Sequence, residues 1–359
     1  MGRAREAAAE AAAAVADGAA ATLSPADTTT GPSGRAESIA KLAALSPRRT
    51  ARLPGPARFA LAVVLSFALS SLGRSFVDHC SNNEVGSITR EANSRTELAV
   101  LAAWKLFGLA LGWFGDYDGF DLAALALLSH GPATFLISVF YGVRALTAGA
   151  YLAVEVVSAS LPFVLLRRLS GAHSAAPGVP NRDIVADGTI QALTSLQSAL
   201  VYSVVLFLAG RFVLPDSLVL YFEGIPTVQP AADAAFLGLG SPTTQLLSLL
   251  FGLAARTFIF TPLVTTPQQT AEDRENAAFD PAGATLAQTV KWNLWGYTTR
   301  TKVSLVRTAV AVLFTAAGTY LDTALAIRGV EPYGAAVYAG VWVVAALVTG
   351  LSLRYVGGV

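Results

Sequence analysis

From residue 56 onward the chain alternates between apolar runs of about twenty residues and short stretches of charged and polar punctuation. A helix rises 1.5 Å per residue, so runs of this length match a hydrocarbon layer of about 30 Å. Eight such runs can be read: Arg58 to Phe76, Leu98 to Gly115, Leu122 to Val143, Ala145 to Leu166, Gly188 to Gly210, Thr244 to Leu263, Val303 to Ile327 and Tyr333 to Leu353. The pattern predicts an all-α fold, a polytopic bundle of about eight transmembrane helices over residues 56–359, with six or seven spans as the alternatives. Two places create those alternatives. The first run holds only Phe59 to Gly73 between Arg58 and Arg74, so both arginines must snorkel toward the headgroups. The third and fourth runs are separated by Arg144 alone, which reads as a tight hairpin or a re-entrant segment.

Residues 1–55 differ: alanine-rich, interspersed with Gly, Ser, Thr and Pro, and without apolar periodicity. Such a segment cannot bury enough apolar surface to offset the entropy of ordering it, and it reads as a disordered tail. Asp17 and Asp27 interrupt any secretory signal, five acidic residues disfavour an organelle transit peptide, and Glu6 stands where a myristoylation signal needs Ser or Thr.

Composition sharpens the reading. Hydrophobic residues make up 53% of the chain and charged ones 14%, with a mean hydropathy of +0.53. A soluble domain is roughly a quarter charged. The net charge of +1 gives no basic surplus for a nucleic-acid partner. The single cysteine, Cys80, cannot close an internal disulfide, and no Cys/His spacing suggests zinc. No metal and no cofactor is expected, and the expected partners are the lipid bilayer and other membrane proteins.

Orientation follows from basic residues, which collect on the cytoplasmic side. An even span count with both termini cytoplasmic places Arg48, Arg49, Arg52, Arg167, Arg168, Arg182, Arg274, Lys291, Arg300 and Lys302 there. The mixture of Lys291, Trp292, Trp295 and Tyr297 ahead of the seventh run predicts a helix lying in the interface. An endomembrane such as the endoplasmic reticulum is the expected location.

Three charges fall well inside spans: Lys105, Glu155 and Arg256. A charge at helix centre costs about 2.5 to 3.5 kcal/mol on insertion scales, so each is expected to face the bundle, with Glu155 paired to one of the two cations. Gln191, Thr194, Ser195, Ser198 and Tyr202 form a polar stripe on one face of the fifth span, suited either to lining a wet cavity or to helix-to-helix hydrogen bonding. Pro132, behind His130, is expected to kink the third span. Asp116, Asp118 and Asp121 read as a solvated turn, since no bidentate Glu completes a calcium loop. Arg307 and Asp322, near the ends of the seventh span, call for no special role. Protease, hydrolase and phosphate-loop signatures are absent, so catalysis has no positive support. The function expected is a transporter or channel-like protein with a polar cavity between spans two, four, five and six; a non-catalytic scaffold or assembly subunit is the alternative.

Overall fold

The computed structural model describes residues 54–90, 94–174, 178–232 and 242–358, so the expected disordered tail lies outside the described residues except for Pro54 and Gly55. Eight helices in it are long and apolar enough to cross a membrane. They are α1 (Gly55–Cys80), α2 (Arg95–Phe114), α3 (Gly119–Val139), α4 (Ala145–Leu166), α5 (Gly188–Phe212), α6 (Thr244–Thr265), α7 (Thr299–Ala324) and α8 (Pro332–Val356). No strand occurs among the described residues, only two isolated bridges. Many large apolar side chains point outward along these helices, among them Val64, Leu72, Leu146, Leu193, Leu246 and Leu351. Outward apolar belts on helices whose own hydrogen bonds are complete are what a bilayer requires, and the chain is a multi-pass helical membrane protein.

Polar residues fix the helix ends. Ser94 accepts from the Thr96 N–H to start α2, Asp187 accepts from the amides of Thr189 and Ile190 to start α5, and Thr298 does the same for α7 through Thr301. Spans three and four are separate helices, joined at Phe140–Arg144, where Gly142 supplies a φ of +73°. Pro132 sits inside a continuous α3.

The connections gather at two faces. On one, the loop face, Thr89 bridges Ile327 and Phe222 bridges Val330, while Glu84 accepts from the Arg144 backbone and side chain at 3.0 and 2.9 Å and from Thr147 at 2.7 Å. On the other, the terminal face, Arg300 donates to the Gly357 carbonyl at 3.0 Å and Asn181 to the Val264 carbonyl at 2.9 Å, close to the chain's C-terminus.

The best-packed part of the core lies among α3, α5, α6 and α8. Phe251 meets Tyr202 at 5.0 Å and Trp342 at 4.9 Å between ring centroids, and Phe135 meets Trp342 at 5.5 Å. The polar stripe of α5 belongs here. Thr194 and Ser198 are buried, yet their hydroxyls return to the carbonyls of Ile190 and Thr194 on their own helix. A π-helical turn, Arg256–Phe260, interrupts α6 ahead of Pro262. Proline has no N–H for the Phe258 carbonyl, and Arg307 of α7 donates to that carbonyl at 2.8 Å instead.

The close α5–α6 contact is testable at Gly252. A Cβ there would come within 2.7 Å of the Ala199 amide nitrogen and still nearer the Ser195 carbonyl, both backbone atoms that cannot rotate away. Gly252→Leu is expected to cost roughly 1–3 kcal/mol through overpacking. The check is a lowered thermal midpoint in detergent for that variant, beside an unchanged one for Gly340→Leu, where nothing lies within 4 Å.

Candidate functional site

Glu155 is the eleventh residue of α4, about 15 Å below the loop-face end of that helix. Its side chain is only 8% exposed, and donors from two other helices surround it. On α1, Ser70 and Arg74 lie one turn apart on the same side. The Ser70 hydroxyl donates to Oε1 at 3.0 Å and Arg74 Nε donates to the same oxygen at 2.7 Å. From α2, Lys105 Nζ donates to Oε2 at 3.3 Å and to Ser158 Oγ at 3.2 Å. Nearby, His130 of α3 and Asp322 of α7 pair through Nδ1 and Oδ2 at 2.6 Å. These five ionisable side chains line a single cavity of about 350 Å³ walled by α1, α2, α3, α4 and α7. Its remaining wall is mostly apolar, including Phe67, Leu109, Leu122, Leu125 and Phe314.

The donor count is uneven. Both oxygens of Glu155 are engaged, whereas the two terminal nitrogens of Arg74 have no partner among the described residues and that side chain is 54% exposed. Lys105 keeps one N–H beyond the two it uses. The cavity therefore presents more N–H donors than its own carboxylates consume.

Of the residues singled out in the sequence, Glu155 and Lys105 come together. Arg256 does not join them: it stands in the π turn of α6, with no ion pair among the described residues. Gln191, Thr194, Ser195, Ser198 and Tyr202 line no part of the cavity; Gln191 donates to the Val185 carbonyl at 2.7 Å and Tyr202 belongs to the aromatic core. The cavity thus forms between spans one, two, three, four and seven, not two, four, five and six. Arg74 escaped notice because it looked like the snorkelling end of a short span. In fact α1 continues six residues further to Cys80, so Arg74 stands about 9 Å short of the helix end and reaches Glu155. Asp322 escaped because its partner, His130, lies 192 positions away in the chain.

A second charged cluster sits at the terminal face and overturns the expectation of a solvated turn. Asp118 and Asp121 are 1% and 0% exposed. Asp118 Oδ1 caps α3 by accepting from the amides of Phe120 and Asp121, while Oδ2 accepts from the Ser170 amide and hydroxyl at 3.0 and 2.8 Å and bonds His173 Nδ1 at 2.8 Å. Asp121 takes Arg307 at 2.7 Å, and the same guanidinium lies 4.9 Å from the ring centroids of both Tyr117 and Phe258. Asp118, Asp121 and His173 offer ligand atoms within 4.8 Å of one another. The carboxylate oxygens are nevertheless already filled by N–H and O–H donors, and Arg307 supplies the compensating charge. The arrangement is a clamp holding the α4–α5 connection and α7 to the start of α3. Asp116, by contrast, is exposed and pairs with Arg167.

This clamp predicts a pH dependence. Burial opposes charge on both Asp118 and His173, but their mutual hydrogen bond outweighs it, lowering the Asp118 carboxyl below its usual range and raising the His173 imidazolium above 6.5. A raised histidine contributes stability that is whole below pH 6.5 and fades as pH climbs through the folded value; a lowered carboxyl contributes above about pH 4 and fades as pH falls. The difference in thermal midpoint between the wild type and His173→Asn is therefore expected to be largest near pH 5–6 and to shrink toward pH 9. A difference that stays constant across this range contradicts the ionised pair.

The chain matches no family model, and no curated protein or solved structure matches it either, so the functional reading rests on this geometry.

Proposed function

We propose that this membrane protein is a transporter or channel-like protein whose solute site is the charged cavity between α1, α2, α3, α4 and α7. The observation that carries this reading is open space. Five ionisable residues surround about 350 Å³ at membrane depth, and two of them keep unspent hydrogen-bond donors. A purely structural ion-pair network would be expected to close on itself, since unpaired charge in a low dielectric is costly. The orientation that goes with this reading puts the terminal face toward the cytoplasm of an endomembrane, supported by Arg167, Arg168, Arg182, Arg274, Lys291, Arg300 and Lys302 at that side. The helix Leu286–Trp295 then lies in the headgroup layer, its Leu286, Leu294 and Trp295 side chains uncovered by protein and Lys302 6.0 Å from the Trp295 ring.

One observation favours the scaffold reading: the ring of donors on Glu155 ties α1, α2 and α4 together, as a packing device does. Water access separates the two. In a Cys80→Ser background, a cysteine at Ala102, which lines the cavity, is compared with one at Ala103, its outward-facing neighbour at the same depth. A membrane-impermeant anionic thiosulfonate reagent reacts with ionised thiols and is not repelled by Arg74 and Lys105. It is expected to label position 102 at least about tenfold faster than position 103, because a thiol facing lipid ionises poorly. Equal, slow labelling at both positions rules out a wet cavity and leaves the scaffold.

A further inference from the structure

The cavity is graded along the membrane normal, and three helices agree on the direction. On α7, Asp322 lies near the loop-face end and Phe314 eight residues deeper; on α3, His130 and Leu122 are separated the same way; on α2, Lys105 is followed one turn deeper by Leu109. Eight helical residues span about 12 Å. The charged groups therefore stand nearer the loop face than Leu109, Leu122 and Phe314, which wall the part of the cavity toward the terminal face, while Leu98 and Leu101 add apolar wall on the loop-face side of Lys105. Near the loop face, His130 Nδ1 pairs with Asp322 Oδ2, and Glu155 is filled by Ser70, Arg74 and Lys105. What remains unspent is mainly cationic N–H, the terminal fork of Arg74 and one donor of Lys105, against one carboxylate oxygen, Asp322 Oδ1, that accepts no bond among the described residues.

Building on the solute-site reading above, we propose that the cavity binds an organic anion, its carboxylate or phosphate head held by Arg74 and Lys105 and its apolar body lying against Leu109, Leu122 and Phe314. A guanidinium fork matches the paired oxygens of either head group. A cationic solute finds Glu155 already filled and one open carboxylate oxygen, Asp322 Oδ1, beside two cations, and a neutral one leaves the donors of Arg74 and Lys105 unused. The volume of about 350 Å³ falls within the roughly 300–1,000 Å³ of small-molecule sites. Such an anion can arrive from water or be the head and part of one chain of a lipid; the chemistry read by the site is the same.

Trp104, which lines the cavity, serves as the reporter. The full chain in phosphatidylcholine nanodiscs is titrated with undecanoate carrying a terminal bromine, which quenches tryptophan on contact. Saturable quenching is expected, lost in Trp104→Phe and weakened about tenfold or more in Arg74→Gln, the effect of removing a charge-assisted hydrogen bond. A bromine-tipped undecyl trimethylammonium of equal length is expected to quench without saturation. Equal affinity for the two probes overturns the proposal on the wild type alone, whether or not the arginine variant folds; so does unchanged affinity in a monodisperse Arg74→Gln. Bromine-labelled phosphatidic acid in the nanodisc distinguishes the sources: quenching by it assigns the lipid, and quenching only by the free acid assigns the aqueous solute. Fast labelling at position 102 without anion selectivity refutes the anion and leaves the solute site standing, whereas failure of both removes the two together.

Discussion

A carboxylate carried into the depth of a bilayer has to be given donors in place of the water it leaves behind, because an uncompensated buried charge costs several kcal/mol. Glu155 meets that demand with side chains from α1 and α2, and in doing so it sets the spacing of the helices that supply them. Little else holds α2 at this level. Only Leu109 and Gly112 are buried along it; rings anchor it too, Trp104 and Phe107 against Phe314 and Trp113 against Phe163, and at its ends Glu97 accepts from Arg90 while Arg167 donates to the Gly112 and Trp113 carbonyls. Lysine is long, so α2, joined to Glu155 through Lys105, stands further off than a helix joined through glycine, whereas α1 packs closely on α4, where Gly73 meets Val154. The cavity is the space that the longer link holds open.

The other half of the bundle is built on the opposite principle. Gly252 lets α6 approach the backbone of α5, Gly350 receives Thr308 of α7, and the aromatic rings around Trp342 fill the centre without a charged group. Between these halves the protein uses ionised residues in two ways. At the terminal face every carboxylate oxygen of Asp118 and Asp121 accepts a donor, although His173 Nε2 is buried without a partner, and the group behaves as a clamp. Around Glu155 both carboxylate oxygens are filled, while Arg74 and Lys105 keep N–H donors unspent. That contrast within one molecule separates a structural ion network from a site with binding capacity.

The helices were legible because each crossing must be apolar over its whole length, a local property that a run of residues displays by itself. The starts at Ser94, Asp187 and Thr298 were legible in kind as well, being ordinary N-cap residues beside those runs. Neighbour relations were not legible. The period of the α5 stripe correctly puts Thr194 and Ser198 on one buried face, but period carries no information about what that face meets, and the hydroxyls turn back onto their own helix. Lys105 and Glu155 stood out as charges in mid-span. Arg74 and Asp322 did not, because a charge near the end of an apolar run looks harmless until the helix extends past it or a distant histidine comes to meet it. The same holds for Asp118 and Asp121, whose burial depends on Arg307 and His173 arriving from elsewhere in the chain.

Arg74 and Lys105 carry two tasks on the same nitrogens: they neutralise Glu155, and they offer what donors remain to the cavity. A ligand that draws on them weakens their hold on the carboxylate, and through Lys105 that hold is a principal tie of α2 to α4. Occupancy and helix restraint are therefore thermodynamically linked. Whatever free energy an anion gains from the guanidinium is reduced by what Glu155 loses, and by reciprocity any displacement of α2 that frees Lys105 strengthens anion binding. Because α1, α3, α4 and α7 pack directly on one another, with Gly73 against Val154 and Gly318 against Ser129, while α2 is tied mainly through Lys105 and ring contacts, the linkage is confined to α2 and the side chains around the cavity. The aromatic core around Trp342 stays as the fixed frame against which they can shift.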